Sequence, residues 1–271
     1  MKEKFILENE DFDIEKILNS GQNVTYKMDG QYFVLQQNIE KIYIRTENNK
    51  TYFNISKNYF DKNLYNFFDM KTDYNKIREE INDKFPELKM YTDYGKGIRF
   101  INQDFLEGTT AFIISQNNNI KRIEKSMQEI KDNFGEGIFP SLEKLKTLSK
   151  EDFRSIGVGF RDKYLESFYK DITYDKIEEL KKLSTKEAFI ELQKYKGIGP
   201  KVANCILLFT LDKRDVFPVD VHIKRFMQDK YFDKKETNVK EIEEFALDKF
   251  KELSGYIQQY IFYYIINTKE F

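Results

Sequence analysis

The glycine-rich segment before Lys201 holds the residues best suited to chemistry. A helical pattern ends at Lys196, the turn Gly197–Gly199 follows, and Pro200 suits the first turn of a new helix. This pattern is typical of a helix–hairpin–helix, in which unpaired N–H groups at the start of the second helix can hold a phosphate. A helical hairpin without a ligand fits the same residues.

Lys201 is predicted to lie in the first turn of that second helix. The positive end of the helix dipole disfavours an ammonium group there, which favours the neutral amine. A neutral lysine amine is a nucleophile that can form a Schiff base. The alternative is an exposed lysine that contacts a DNA phosphate, and position alone favours this alternative.

A carboxylate follows nineteen residues later, in the run Phe217–His222 (FPVDVH). Pro218 interrupts the chain, and Asp220 then precedes the apolar spacing of an amphipathic helix. We therefore expect Asp220 to cap that helix. A capping carboxylate is fixed and ionised, so it can also face positive charge that develops in a neighbouring pocket.

Charge is balanced over the chain but not around these residues. The 45 basic and 46 acidic residues give a net charge of −1. Between Lys181 and Arg225, however, ten basic residues outnumber five acidic ones. This surplus favours binding to the DNA backbone without base specificity.

Composition excludes several classes of protein. The 271 residues are 40% hydrophobic and 34% charged, which is typical of a folded globular chain. No apolar run approaches the roughly 20 residues of a membrane helix, and Met1–Lys4 does not lead into a signal peptide. One cysteine and one histidine exclude a disulfide framework and a four-cysteine iron–sulfur cluster. We expect a cytoplasmic protein with no metal or cofactor.

Two kinds of secondary structure are predicted to position the chemistry. Short β-branched and aromatic runs at 31–36, 40–46 and 51–56 predict an antiparallel sheet, with turns at Asp29-Gly30 and Asn48-Asn49. From about residue 104 the apolar spacing is helical. The helices are predicted at 74–84, which ends before Pro86, and at 120–134, 141–148, 150–156, 160–171, 185–195, 200–211, 221–230, 238–250 and 255–267.

We therefore predict an α+β fold with two domains. Residues 1–103 would form a small N-terminal domain built on the antiparallel sheet. Residues 104–271 would form a larger all-α domain, with the helix–hairpin–helix at about 185–210. The capping-box pattern of Ser184 and Glu187 marks the start of the hairpin's first helix.

Several motifs together resemble those of a known family. The segments KGIGPKVA and VFPVDVH resemble the hairpin, Gly/Pro-rich loop and Asp signature of base-excision DNA glycosylases, and more closely the 8-oxoguanine DNA glycosylase family. Ser115–Arg122 (SQNNNIKR) resembles its S-N-N-N-I-x-R segment, and Gly157–Arg161 (GVGFR) its G-x-G-[YF]-R segment. The similarity runs over roughly 104–265. Before it, Ser20–Gln22 matches, whereas Val24-Thr25-Tyr26 replaces the family's aromatic-Arg-Trp.

The resemblance implies a bifunctional 8-oxoguanine DNA glycosylase with AP-lyase activity, which flips its target nucleotide out of duplex DNA. Lys201 matches the nucleophile that attacks the sugar C1′, expels the oxidised base and forms a Schiff base that permits β-elimination. Asp220 matches the carboxylate that stabilises the oxocarbenium-like sugar and orients the amine.

Four residues match positions that bind the flipped base. Cys205 would line the base pocket, although a buried small hydrophobe is the common fate of a free cysteine. Gln258 and Phe262 would hydrogen-bond and stack on the base; without the family, a core aromatic beside a surface amide is the preferred interpretation. Gly21 matches the glycine whose carbonyl accepts the N7–H that distinguishes 8-oxoguanine from guanine.

Other matches concern the DNA around the lesion. Asn117, Arg122 and Arg161 match residues that contact the estranged cytosine and fill the vacated stack. Phe160 matches a wedge position, with core packing as the alternative. His222 matches a phosphate contact, with a surface histidine as the alternative. The hairpin glycines Gly197 and Gly199 would approach the backbone.

Three rival functions remain after this comparison. A glycosylase for another damaged base shares the hairpin, and so does a catalytically silent DNA-damage-binding protein. A nuclease needs clustered carboxylates, and no compelling cluster is present.

The expected partner is double-stranded DNA containing 8-oxoguanine, bound by a monomer. The opposite-base preference and the efficiency of the lyase step stay open.

Overall fold

The N-terminal region forms a five-stranded antiparallel sheet, which confirms the predicted α+β fold class. The computed structural model describes residues 3–8, 11–22, 26–37 and 40–270. Val24 and Thr25, which belong to the segment that differs from the family's aromatic-Arg-Trp pattern, lie outside the described residues. The strands are β1 (Phe5–Glu8), β2 (Tyr26–Asp29), β3 (Tyr32–Gln37), β4 (Glu40–Glu47) and β5 (Lys50–Phe53). Their order is β1-β5-β4-β3-β2, and each neighbouring pair is antiparallel.

The sheet buries one face and turns where the sequence predicts. Leu35, Ile42 and Ile44 are buried from neighbouring strands and pack in one apolar cluster with residues of the following helices. The β4–β5 turn uses Asn48 and Asn49, both with positive φ (51° and 60°). Such angles suit the tight hairpins that join antiparallel strands with a right-handed twist.

Helices make up most of the remaining chain. They are α1 (Ile14–Leu18), α2 (Lys57–Tyr59), α3 (Tyr74–Lys84), α4 (Lys89–Tyr94), α5 (Phe105–Ser115), α6 (Ile120–Phe134), α7 (Leu142–Thr147), α8 (Lys150–Ser155), α9 (Asp162–Asp171), α10 (Tyr174–Lys182), α11 (Thr185–Leu192), α12 (Pro200–Thr210), α13 (Val221–Tyr231), α14 (Val239–Phe250) and α15 (Ser254–Thr268). Within the described residues, no helix is long and apolar enough to cross a membrane. The boundary near residue 103 stays a prediction.

Helix α12 is the centre of the larger apolar cluster. Its residues 202–209 are all buried, and it packs against α5 and α11. Only the two ends of α12 reach the surface, with Pro200 and Lys201 at its start and Thr210 at its end. The core therefore fixes the axis and rotation of α12, and through them the starting point of the Lys201 side chain.

A second apolar cluster joins α13, α14 and α15 to α3 and α4. Ile257 and Ile261 of α15 pack there with Phe226 of α13 and Tyr91 of α4. Helices α13 and α15 share this cluster, and the start of α13, the middle of α15 and the start of α12 line one pocket. The three helices thus converge on one region of the surface.

Candidate active site

The hairpin between α11 and α12 has the geometry that its glycines predict. Gly197 adopts φ +88°, and a Cβ there would collide with the ring of Tyr164. Gly199 precedes α12 in an extended conformation, is exposed, and has no side-chain cap, while Pro200 occupies the first turn. The unpaired amides at the start of α12 are therefore available to an anion.

A pocket of about 710 Å³ opens beside the start of α12. Apolar side chains such as Phe112 and Phe209 form part of its lining. The predicted site residues that line it are Gly21, Lys201, Cys205, Asp220, His222, Gln258 and Phe262. The structure thus brings together one loop and three helices that are far apart in sequence.

Lys201, Cys205 and Asp220 lie close enough to influence one another. Burial raises the pKa of the Cys205 thiol, and the Asp220 carboxylate adds to this rise. The charge of Lys201 and a hydrogen bond from it oppose the rise. Lys201 and Asp220 are both only half-buried, so they are accessible from the pocket. Cys205 is 5% exposed and forms part of the pocket wall.

Asp220 caps α13, as predicted. Its Oδ1 accepts hydrogen bonds from the backbone N–H groups of His222 (3.0 Å) and Ile223 (2.8 Å). These bonds fix the position of the carboxylate at the start of α13. The cap therefore holds a negative charge at the pocket wall.

Gln258 and His222 carry polar atoms that find no partner among the described residues. Gln258 donates from Nε2 to the Pro218 carbonyl at 3.3 Å, while its buried Oε1 is unpaired. The buried Nδ1 of His222 is likewise unpaired. Because an unpaired buried polar atom is costly, these atoms are suited to bind a ligand.

Gly21 packs directly against Phe262, and both line the pocket. Gly21 adopts φ +75°, and a Cβ there would lie 2.5 Å from Cε1 of Phe262 and 3.3 Å from Cδ1 of Ile266. Only glycine fits both the backbone angle and this contact without strain. No described residue donates a hydrogen bond to the Gly21 carbonyl.

The four residues predicted to contact DNA around the lesion lie outside the pocket lining: Asn117 precedes α6, Arg122 lies in the first turn of α6, and Phe160 and Arg161 lie in the short turn before α9. Arg161 is buried; its guanidinium donates to the carbonyls of Gln116 and Asn117 and lies 4.4 Å from the ring centroid of Phe160. Burial lowers the pKa of Arg161, and the nearby charge of Arg122 adds to this effect. Asn117, Arg122 and Phe160 are exposed. Their roles stay predictions.

Sequence reasoning missed three buried glutamines around Gly21. Gln259 donates to the Ser20 carbonyl at 2.8 Å, and Gln103 donates to the Gln22 carbonyl. The Gln22 side chain donates to Ser20 Oγ at 2.7 Å and accepts from the Ile101 N–H at 2.8 Å. The adjacent amides of Gln258 and Gln259 in an otherwise apolar helix were the available signal.

Two family models match the chain. Residues 4–108 match the N-terminal domain of 8-oxoguanine DNA glycosylases, and residues 110–252 match the HhH-GPD superfamily of base excision DNA repair proteins.

Individual relatives agree with these matches. The N-glycosylase/DNA lyase OGG1 of Arabidopsis thaliana is 32% identical over 175 residues, which cover 59% of this chain and 48% of that protein. The chain thus spans about half the length of that relative. A probable N-glycosylase/DNA lyase of Methanothermobacter thermautotrophicus is 29% identical over 228 residues, covering 72% of this chain and 71% of that protein.

A solved structure extends the similarity to the whole chain. It is the Clostridium acetobutylicum 8-oxoguanine glycosylase/lyase in complex with double-stranded DNA containing cytosine opposite 8-oxoguanine. It superposes with a TM-score of 0.90 and 31% identity, covering 100% of both chains. The chain therefore belongs to the 8-oxoguanine DNA glycosylase family of the HhH-GPD superfamily of base excision DNA repair proteins.

Proposed function

We propose that this protein removes 8-oxoguanine from duplex DNA and then cleaves the strand at the resulting abasic site. The observation that carries the proposal is the shared pocket, in which Lys201 and Asp220 face the elements that hold Gly21, Gln258 and Phe262. A nucleophile and a fixed carboxylate beside a stacking ring and unpaired polar atoms suit one flipped nucleotide.

Lys201 supplies the nucleophile. Its neutral amine attacks C1′, the C1′–N9 bond breaks, and the bonding electrons leave with the base, which takes up a proton. Opening of the sugar ring gives a Schiff base between Lys201 and C1′. Loss of a C2′ proton then breaks the C3′–O bond by β-elimination. Each step needs only protons that move between the site, the DNA and water.

Asp220 supplies fixed negative charge. As the glycosidic bond breaks, positive charge develops on the sugar, and a carboxylate held by the α13 cap lowers the energy of that state. The same carboxylate orients the Lys201 amine toward the pocket. Asp220 does not need to leave its cap to do either.

The remaining site residues read and hold the DNA. Gln258 offers its unpaired Oε1 to the Watson–Crick edge of the base, and Phe262 stacks on the base. Cys205 contributes to the pocket wall. Gly197 and Gly199 let the hairpin approach a phosphate, and the unpaired Nδ1 of His222 is a further candidate for the DNA backbone.

The duplex outside the pocket meets the loops at Asn117 and Phe160. Phe160 is 47% exposed, which suits a ring that enters a base stack. Arg122 is exposed and able to reach the opposite base. We assign Arg161 to the same surface, where it also holds the Asn117 loop.

We further propose that the protein is a monomer and that it is cytoplasmic. A reducing compartment suits a chain with one buried cysteine.

A substrate panel under single-turnover conditions tests the proposal. Duplexes would carry 8-oxoguanine, an oxidised pyrimidine, an alkylated purine or undamaged guanine, each opposite all four bases. We expect base release from 8-oxoguanine only, followed by strand cleavage without added metal. Preferential release of another base would assign a different glycosylase activity, and tight binding with no release would identify a silent binder. Both results contradict the proposal.

A further inference from the structure

The backbone around Gly21 is held from both sides by buried side-chain amides. The Ser20 carbonyl accepts from Nε2 of Gln259 at 2.8 Å, and the Gln22 carbonyl accepts from Nε2 of Gln103. Ser20, Gln22 and Gln259 are each at most 3% exposed. The carbonyl between them, that of Gly21, is the one without a donor among the described residues. The two clamps therefore orient a carbonyl that accepts no hydrogen bond from the described part of the chain.

Gln259 connects this acceptor to the rest of the pocket. It follows Gln258 directly on α15, and Phe262 lies one turn further on. Gln258 donates to the carbonyl of Pro218, two residues before Asp220, whereas Gln259 donates to the carbonyl of Ser20. Two adjacent residues of α15 thus contact both the segment before Asp220 and the loop that contains Gly21.

We infer that Gln259 is a positioning residue for substrate specificity: its amide holds the Ser20–Gly21 backbone so that the Gly21 carbonyl meets the N7–H of an oxidised purine. The inference rests on the proposed function. It adds a residue that contacts the loop and not the reacting atoms, so Gln259 acts through Gly21.

The physical reason lies in the narrow range of hydrogen-bond geometry. An N–H···O bond needs about 2.7–3.2 Å between its heavy atoms, and it weakens steeply when bent. An undamaged guanine offers a lone pair at N7, so two acceptors face each other there and the contact is unfavourable. The attraction to 8-oxoguanine and the repulsion of guanine both depend on the position of the Gly21 carbonyl. If the loop can move away from the base, both effects become weaker.

The test compares binding of lesion and undamaged duplexes. In a Lys201→Gln background, which stops base release, the dissociation constants for 8-oxoguanine opposite cytosine and guanine opposite cytosine give a preference ratio. Gln259→Met keeps side-chain length and removes the donor. We expect it to lower the ratio by about fivefold, the worth of one net hydrogen bond. Gln103→Met, which releases the other clamp, should lower the same ratio.

A second readout separates positioning from general damage to the fold. With Lys201 present, strand cleavage at a preformed abasic site involves no base. Gln259→Met should therefore slow release of 8-oxoguanine several times more than it slows abasic-site cleavage. Asn267→Leu is the matched control, because it removes an amide from the exposed end of the same helix. This control should leave both the binding preference ratio and the balance between base release and abasic-site cleavage unchanged.

The outcomes distinguish the inference from the proposed function. If the Lys201→Gln parent shows no preference for the 8-oxoguanine duplex, the proposed function itself fails. If the parent discriminates and Gln259→Met discriminates equally well, Gln259 does not position Gly21. An equal loss in Asn267→Leu, or an equal slowing of abasic-site cleavage, would also overturn the inference.

Discussion

The two walls of the pocket are built in different ways. On the wall to which we assign the chemistry, called here the catalytic wall, Lys201 and Asp220 each lie at the start of a helix, nineteen residues apart in the chain. On the recognition wall, the loop at Gly21 meets α15 through a contact between Ser20 and Gln259, residues 239 positions apart. The first wall depends on local helix-start signals, and the second depends on tertiary packing.

This difference separates chemistry from selection. Changes on the catalytic wall should stop the reaction while the pocket still recognises the lesion. Changes on the recognition wall should weaken the choice of base while the amine still reacts with an abasic sugar. The four experiments below test this separation, in order of decreasing expected effect.

Replacing Lys201 by glutamine should have the largest effect. Loss of the nucleophile should slow release of 8-oxoguanine by at least about 10³-fold, as loss of a covalent nucleophile commonly does. Binding to the lesion duplex should persist, measured by anisotropy under the same conditions. Lys240→Gln is the matched control, since Lys240 is an exposed lysine outside the basic segment. Release near the wild-type rate would remove Lys201 from the mechanism.

Replacing Asp220 by asparagine separates its charge from its capping role. Asparagine caps a helix about as well as aspartate, so the thermal midpoint should not change. Base release should nevertheless fall about 100-fold, because a fixed charge beside the developing cation is lost. Asp220→Ala should also lose about 1 kcal/mol of unfolding free energy. A wild-type rate in Asp220→Asn would leave Asp220 with a capping role only.

Replacing Gly21 by alanine tests the recognition wall. The positive φ costs about 1–2 kcal/mol in any L-residue, and the new Cβ would press on Phe262. Gly30→Ala is the matched control, because Gly30 also has positive φ (58°) but nothing within 4 Å. Denaturant unfolding should show a larger loss for Gly21→Ala, and base release should fall more than abasic-site cleavage. Equal losses in both variants would mean that Phe262 does not press on Gly21.

The Cys205 thiol reports on the charges of the catalytic wall. Its raised pKa means that little thiolate exists at neutral pH, so alkylation should be slow at pH 7 and accelerate as pH rises. Lys201→Gln removes a charge that lowers this pKa, and alkylation should become slower still. Asp220→Asn should make it faster. Alkylation at pH 7 as fast as that of a small free thiol would contradict this arrangement.

Much of the helical region was predictable because its signals are local. The helix 74–84 ends before Pro86 as expected, and Ser184 with Glu187 forms the predicted capping box. Helix α10 (Tyr174–Lys182) was missed because its many charges hide the two buried residues, Ile177 and Leu180. Strands β1 and β2 lie at the sheet edges and are four residues long. β1 pairs with the distant β5 and β2 with the adjacent β3, and this pairing, not their own composition, specifies them.

The residues of the candidate site also divide into those with local sequence signals and those that depend on tertiary contacts. Lys201 and Asp220 follow from turn, proline and capping chemistry that can be read within a few residues. For Gln259 the sequence offers only its place beside Gln258 in an otherwise apolar helix. Its role could not be predicted, because its partner is the distant carbonyl of Ser20, and a backbone carbonyl leaves no mark in the sequence. For Gly21, the sequence offered a short match, and the structure adds the positive φ and the contact with Phe262.

Borohydride trapping tests the central claim most directly. Wild type and Lys201→Gln would be incubated with a duplex carrying one 8-oxoguanine opposite cytosine, then reduced and analysed for covalent protein–DNA adduct. We expect an adduct with wild type and none with Lys201→Gln. We also expect no adduct with undamaged duplex. Failure of wild type to form an adduct with the lesion duplex, or an equal adduct with Lys201→Gln, would contradict Schiff-base chemistry at Lys201.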